Sequence, residues 1–236
     1  MNMPSSFSVV SRSPVEQARF NMIDQQIRTW NVYDGQTLDV LGRVRREDFV
    51  PLAYRALAFM DVEIPLRGNA EDAALKGEIM LSPKVEARLF QDMLLQPGET
   101  ALEIGAGSGF MAALLAQVAR HVVSLEIDPA LATMARDNLH QAGVLNAEVR
   151  VADGAHLSAS AGMYDAIVLS GSVASVPQEL LALLNDGGRL VAIVGNEPVM
   201  RATFVRRTGD RFETTQPWDT IAPRLQNFPE SPSFVF

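Results

Sequence analysis

A carboxylate followed by glycine at every second position is a place where backbone and ligand can meet. In this chain that place is Glu103-Ile104-Gly105-Ala106-Gly107-Ser108-Gly109. An apolar run, Thr100-Ala101-Leu102, enters it, and a helical pattern over 110–119 leaves it. Glycine has no Cβ, so amides there can touch a ligand, and φ > 0 costs little. A second acid, Glu126, ends the next apolar run, Val122-Val123-Ser124-Leu125, 21 residues beyond Gly105. That spacing fits a carboxylate holding ribose hydroxyls at the tip of the second strand of a βαβ unit. A third acid, Asp153, closes the run 149–152. Ligands of open α/β sheets gather at such strand ends, although Asp is also a common turn cap.

The glycine spacing favours one cofactor class. Dinucleotide turns usually read G-x-G-x-x-G and set a pyrophosphate on helix N-terminal amides. Here the pattern is G-x-G-x-G with Glu103 beside it. An ammonium, a sulfonium and a ribose diol suit that acid better than a pyrophosphate. S-adenosyl-L-methionine is the expected cofactor, and methyl transfer the expected chemistry. A glycine-rich turn can also merely turn, but a bare turn has no need of Glu103, Glu126 and Asp153 together.

The rest of the composition narrows the choice. A chain of 236 residues with 47% hydrophobic content suits one large α/β domain, or such a domain with a helical extension. Net charge is −8, which disfavours a broad phosphate-binding surface and predicts no nucleic-acid partner. The basic runs 43–46 and 206–207 read as solvated faces. There is no cysteine, which excludes disulfides, thiol nucleophiles and zinc–thiolate sites. His121, His140 and His156 share no metal-ligand spacing, and no metal is expected. No apolar run approaches the roughly 20 residues of a membrane span. Residues 1–13 lack the charge and apolar core of a signal peptide. A soluble, cytoplasmic protein with no membrane partner is the default expectation.

These residues need a framework. Residues 1–12 read as a flexible N-terminus. Ser13 offers an N-cap and Pro14 a first helical residue, and Phe20, Ile23, Ile27 and Trp30 continue an amphipathic helix to about residue 30. Asp34 caps a second helix bearing Leu38, Leu41 and Val44, which Phe49-Val50-Pro51 breaks. Residues 66–78 read as a polar loop that shapes a substrate mouth. Ser82-Pro83 opens a helix with Val85, Leu89, Phe90, Met93 and Leu94 inward, closed by Pro97-Gly98. Strands at 100–104, 122–126, 147–151, 164–170 and 188–194 then alternate with helices at 110–119, 129–142 and 177–184. Gly143 and Gly187-Gly188 stand where C-caps belong. Alternation of this kind predicts a doubly wound, mostly parallel sheet covered on both faces. Residues 203–207 and 211–218 form a hairpin signal around Gly209-Asp210. The expected divisions are a helical extension with the acceptor loop (13–96), a Rossmann-like cofactor domain (97–216) and a tail (217–236). Phe228, Phe234 and Phe236 of the tail are expected to pack inward.

The chain resembles class I S-adenosylmethionine-dependent methyltransferases. More narrowly, over about residues 20–212, it is similar to the protein-L-isoaspartate O-methyltransferase family. The resemblance rests on Met22-Ile23-Asp24-Gln25-Gln26-Ile27-Arg28, on Arg46-Glu47-Asp48-Phe49-Val50-Pro51 and on Leu102 to Phe110. Val151-Ala152-Asp153-Gly154, Tyr164-Asp165-Ala166-Ile167 and Gly187-Gly188-Arg189-Leu190-Val191 add to it. The glycine turn is shared by many methyltransferases, whereas the Gln-Gln-Ile-Arg and Asp-Phe-Val-Pro segments are far more specific. The resemblance implies a seven-stranded sheet with a reversed last strand and added N-terminal helices. It further implies that Glu103 and Gly105, Ala106, Gly107, Ser108 and Gly109 line the methionine portion of the cofactor. By the same resemblance Glu126 holds the ribose, Ile127 packs by the adenine, and Asp153 and Gly154 lie at its edge.

One segment departs from the family pattern. The resemblance calls for Thr-Ile-Ser-x-Pro, whose serine faces the reacting carboxylate; this chain has Ile79-Met80-Leu81-Ser82-Pro83. With the prolines aligned, the family serine falls on Leu81, and the hydroxyl of Ser82 comes one position late. A one-residue shift in an extended segment turns a side chain to the other side. Ser82 is the candidate catalytic residue, and a helix N-cap is its simpler use. A carboxylate acceptor is already an anion at neutral pH and needs no general base, so the lack of a candidate His or Cys is no objection. Three functions stay open: a carboxyl methyltransferase acting on protein or peptide isoaspartates in protein repair, a methyltransferase of a small-molecule acceptor, and a non-catalytic S-adenosylmethionine-binding protein.

Overall fold

The computed structural model describes residues 12–157 and 161–230; the expected flexible N-terminus and Phe234 and Phe236 lie outside the described residues, apart from Arg12. The N-terminal signals act as expected at first. Ser13 caps α1 (Pro14–Asn21) in a reciprocal capping box with Glu16. The helix then widens into a π-helical stretch, Met22–Ile27, and tightens into a 3₁₀ turn, Arg28–Trp30. That change of pitch alters which side chains face inward. Met22 and Ile27, five apart, are buried, whereas Phe20 is 42% exposed. α2 (Gly35–Arg43) is capped by Asp34 and buries Thr37, Val40 and Leu41.

Residues 66–78 are more ordered than a polar loop. Short strands β1 (Ile64–Pro65) and β2 (Ile79–Met80) pair antiparallel and bracket α3 (Ala70–Lys76). Asn69 caps that helix by accepting from the Asp72 amide, and Gly77 ends it. α4 (Pro83–Asp92) follows, burying Val85, Leu89 and Phe90. Leu94, expected inward, is 67% exposed at φ 51°, because the chain reverses there after the helix has ended.

The main sheet contains β3 (Thr100–Ile104), β4 (His121–Glu126), β5 (Ala147–Val151), β6 (Tyr164–Val173), β7 (Leu184–Asn196), β8 (Val199–Thr208) and β9 (Arg211–Thr220). Its order is β5-β4-β3-β6-β7-β8-β9. The first five in that order run parallel, with α5 (Phe110–Ala116), α6 (Pro129–Gln141) and α7 (Gln178–Leu181) in the crossovers. β8 is antiparallel to both β7 and β9. The reversed strand is therefore the penultimate one. Two tight hairpins each flip the direction, at Glu197-Pro198 and at the expected Gly209-Asp210, so β9 returns to the direction of β7. Gly187 and Gly188 lie inside β7 rather than at a helix end, because α7 stops at Leu181. The first residues of the expected tail, including Pro217 and Trp218, complete β9.

Alternation along the strands sorts side chains to two faces. Ala101, Val122, Ala166, Val168 and Val191 join the N-terminal helices and α4–α6 in one core. Leu102, Ile104, Val123, Leu125, Ile167 and Leu190 build the other with Leu180, Leu181 and Phe228. Both faces are covered, as a parallel sheet requires. Among the described residues no helix is long and apolar enough to cross a membrane.

Candidate active site

The carboxyl ends of β3, β4, β5 and β6 open on one cleft. It is lined by Gly105 and Gly107 after β3, by Glu126, Ile127 and Asp128 after β4, by Asp153 and Gly154 after β5, and by Ser170 in β6. Gly105 and Gly107 have φ of 90° and 51°, a left-handed backbone that only glycine adopts cheaply. Their amides are thereby turned toward the ends of β4. The Gly107 N–H donates to Glu126 Oε2 at 2.9 Å, and the Asp128 N–H donates to Oε1 at 3.0 Å. Two backbone bonds hold the Glu126 carboxylate in one orientation at the cleft wall.

The turn divides its residues between two tasks. Gly105 and Gly107 face the cleft; Ala106, Ser108 and Gly109 do not line it. Ala106 and Ser108 are buried. Gly109 gives α6 room to approach, since a Cβ there would lie 3.1 Å from the Ala135 carbonyl. Gly154 is equally demanded, because a Cβ would come within 2.4 Å of Ile104 Cγ2.

Glu103 lies under the turn rather than in the cleft. It is fully buried and accepts from the Ser124 hydroxyl at 2.6 Å and the Ser170 hydroxyl at 2.7 Å. Ser124 is its register partner on β4. One carboxyl group thus ties together three adjacent strands, β4, β3 and β6. Burial pushes its pKa up to about 8, against the lowering effect of both hydroxyls.

Asp153 lines the cleft and also caps the turn after β5, accepting from the Ala155 amide at 2.9 Å. Burial raises its carboxyl, but bonds from Asn227 and His156 more than offset that, leaving it below the ordinary range. Across the mouth, Arg67 donates to Glu78 at 2.5 Å and to Asp128 at 2.6 Å. These bonds hold both acids below their usual range. Arg67 binds the segment 64–80 to the β4 end of the cleft.

Ser82 stands apart from this cleft. It lines a second cavity of about 500 Å³ with Trp30, Asp61, Glu63, Lys84, Met200 and Thr220. It occupies the N-cap position of α4, yet its side chain makes no cap bond. The residue is 7% exposed. Lys84 Nζ in the same wall is 2.6 Å from Asp61 and 4.2 Å from the centre of the Trp30 ring. The stretch 78–82 supplies wall residues to both cavities, Glu78 and Ile79 to the cleft and Ser82 to the other. Two motif side chains pin this wall and its approach. Gln26 Nε2 donates to the Phe59 carbonyl, and Arg46, paired with Glu86 in the interior, donates to the Leu81 carbonyl at 2.9 Å.

The sequence marked 66–78, with Leu66 and Glu78 at its ends, as a substrate mouth rather than a wall of the cofactor cleft, and did not point to Asp128, Ser170 or the segment 224–228 as cleft residues. Asp128-Pro129 carried a helix-start signal that puts Asp128 beside Glu126. The others come from distant segments with no local mark.

The motifs that pin the wall and cradle the cleft are those of one family. A family model described as protein-L-isoaspartate(D-aspartate) O-methyltransferase matches residues 17–221. This chain belongs to that family. Membership makes it an S-adenosylmethionine-dependent O-methyltransferase by family. A protein-L-isoaspartate O-methyltransferase of Herpetosiphon aurantiacus is 36% identical over 200 residues, covering 85% of this chain and 86% of the relative. One from a Bradyrhizobium species is 36% identical over 202 residues, covering 85% and 89%. The fold is shared with a Plasmodium falciparum structure described as a protein-L-isoaspartate O-methyltransferase in complex with S-adenosyl-L-homocysteine. That match has a TM-score of 0.74, 15% identity, and coverage of 91% of this chain and 99% of the other.

The residues of the cleft fit such a cofactor. Gly105 and Gly107 present backbone without Cβ atoms, the Glu126 carboxylate is fixed at a strand tip, and Asp153 closes the far end.

Proposed function

We propose that this chain transfers the methyl group of S-adenosyl-L-methionine to the free carboxylate of isoaspartyl residues in proteins or peptides, a protein-repair reaction. The observation that carries the reading is the Glu126 carboxylate, set by the Gly107 and Asp128 amides at the edge of a glycine cradle, in a chain of this family. When bound, the cofactor supplies an electrophilic methyl on a sulfonium. Glu126 would hold the ribose hydroxyls, Gly105 and Gly107 would lie against the methionine portion, and Ile127, Asp153 and Gly154 would frame the adenine. Glu103 acts beneath them by fixing the strand ends. Ala106, Ser108 and Gly109 shape the turn.

The acceptor side is the cavity of Ser82 and Lys84. Two features support this. Among the described residues the Ser82 hydroxyl has no hydrogen-bond partner, so it is free to donate to a carboxylate. Lys84 adds a cation to the same wall. An acceptor carboxylate enters already ionised, so the protein's part is alignment and exclusion of water, which can supply on the order of 7–11 kcal/mol at the limit. We place the reaction in a soluble compartment, the cytoplasm.

The test is methyl incorporation into an isoaspartyl peptide against its normal aspartyl twin. Methylation of the isoaspartyl peptide alone is expected; equal or absent labelling of the two overturns the acceptor assignment. Ser82→Ala should lower kcat by about tenfold or more, the worth of one hydrogen bond to a charged group, with affinity for S-adenosylhomocysteine unchanged.

A further inference from the structure

The cavity of Ser82 carries more acid than an anionic acceptor calls for. Among the described residues Lys84 is the one cation of its lining, and Asp61 answers it at 2.6 Å. Glu63 and Asp219 line the same cavity. Asp219 is matched by Arg201 at 3.2 Å, whereas Glu63 has no ionic partner among the described residues. Glu197, next to the lining residue Pro198, brings a second carboxylate near Glu63. Desolvation, and then the charge of Glu197, raise the Glu63 carboxyl above its ordinary range. Glu63 and Glu197 are exposed, so this excess of negative charge lies at the mouth.

Deeper in the cavity, polar atoms lack partners. One Asp61 oxygen meets Lys84; the other, Oδ1, is buried with no hydrogen bond among the described residues. Buried acceptors of this kind are normally satisfied. The Ser82 hydroxyl, on a residue 7% exposed, is likewise unpaired. The lining also offers apolar surface: Val199 and Ile221 are 60% and 53% exposed. Lys and Arg side chains suit such a surface, since they lay an aliphatic stem on apolar groups and carry the charge beyond it.

Resting on the acceptor assignment above, we infer that the acidic mouth is a subsite for a basic side chain of the acceptor, so that this protein prefers isoaspartyl residues with a Lys or Arg close by in the chain. The isoaspartyl carboxylate meets Ser82, and the basic neighbour meets Glu63 and Glu197. A cavity of about 500 Å³ spans on the order of 10 Å, and an extended chain advances about 3.3–3.6 Å per residue, which puts the basic residue within about three positions of the isoaspartate. The subsite also removes a conflict of charge. An acidic mouth on a chain of net charge −8 repels a bare anion, whereas a basic neighbour makes the approaching segment neutral or positive, and the same field then steers it in. Glu63 precedes β1 and Glu197 lies in the turn between β7 and β8, so no local motif marks the pair.

The test measures methylation of isoaspartyl peptides that differ at a single position, Lys, Gln or Glu, placed in turn at each of the three positions on either side of the isoaspartate. With the unaltered protein, kcat/KM is expected to fall about two- to fivefold at each step from Lys to Gln to Glu at the favoured position, the range of an exposed ion pair. The fall is expected mainly in KM, and to shrink at about 0.5 M salt. Glu63→Gln combined with Glu197→Gln is expected to lose the preference for Lys over Gln, with S-adenosylhomocysteine binding reporting that the variant is folded. Glu63→Lys is expected to reverse the order. Equal kcat/KM for the three peptides at every position, a preference for Glu, or a preference for Lys that survives in the double variant overturns the subsite and leaves the isoaspartyl reading standing. No methylation of any of these peptides by the unaltered protein overturns both.

Discussion

Glu126 accepts two backbone hydrogen bonds and still faces the cleft, and the nucleoside recognition proposed above rests on it most. Glu126→Ala is expected to weaken S-adenosylhomocysteine binding by about 10–100-fold, the worth of a hydrogen bond to a charged group. Calorimetry against an Asp210→Ala surface variant checks this. Glu103 acts differently. Its carboxyl titrates near 8 in the folded protein, far above the ordinary carboxylate value. The folded state therefore holds this proton more tightly than the unfolded chain. The stability contributed is complete below the unfolded pKa and is lost as pH rises toward 8, at up to about 1.4 kcal/mol per unit. Glu103→Gln should abolish that dependence. Urea midpoints at pH 5 and pH 8 should diverge between the two proteins, with the glutamine form gaining relative stability at pH 8. Both acids stood out in the sequence because each ends an apolar run. Their division of labour did not, because strand parity and burial separate Glu103 from the cleft.

At the scale of elements, capping and glycine signals carried the most information. Ser13, Asp34 and Gly143 mark ends that the structure has, because caps are local hydrogen-bond chemistry. The π-helical stretch Met22–Ile27 was not legible. Its buried pair is five apart, and its register is decided by packing against α2 and α4 rather than by local preference. The segment 64–80 shows the same limit. Its composition is polar, yet a cap at Asn69 and pairing of β1 with β2 fold it into a helix-bearing flap held by Arg67. Glycines in these elements divide sharply by what surrounds them. Gly42 is exposed within α2 with nothing near a would-be Cβ. Gly42→Ala should add about 0.5–1 kcal/mol of stability. Gly154→Ala should remove about 1–3 kcal/mol, through overpacking against Ile104, and should weaken cofactor binding as Ile104 is pushed in the cleft wall. Urea denaturation of the two variants checks the opposite signs.

For the molecule as a whole, a ligand that binds only the folded state stabilises it by mass action. S-adenosylhomocysteine at about a hundred times its Kd should add about 2.7 kcal/mol and raise Tm by about 5–10 °C, read in a thermal melt; adenosine diphosphate should not. The meeting of Gly105, Gly107, Glu126 and Asp153 on one cleft was legible from residues 100–154 alone. A βαβ unit brings its strand ends together through short connections, so acids and glycines spaced along the chain become neighbours with little help from elsewhere. Membership of the family was legible for the same reason, since its motifs are contiguous. Three other features depended on contacts between residues remote in the chain. The reversed strand is β8 because two hairpins pack where the sheet has a free edge. Ser82 opens on a cavity completed by Trp30 and Met200, more than fifty residues away on either side. Leu225 and Asn227 reach the cleft only because Ser172 at the end of β6 catches the returning chain. Local order follows from hydrogen bonds and side-chain periodicity among neighbours, whereas the walls of a cleft are chosen by which distant segments the assembled sheet brings to it.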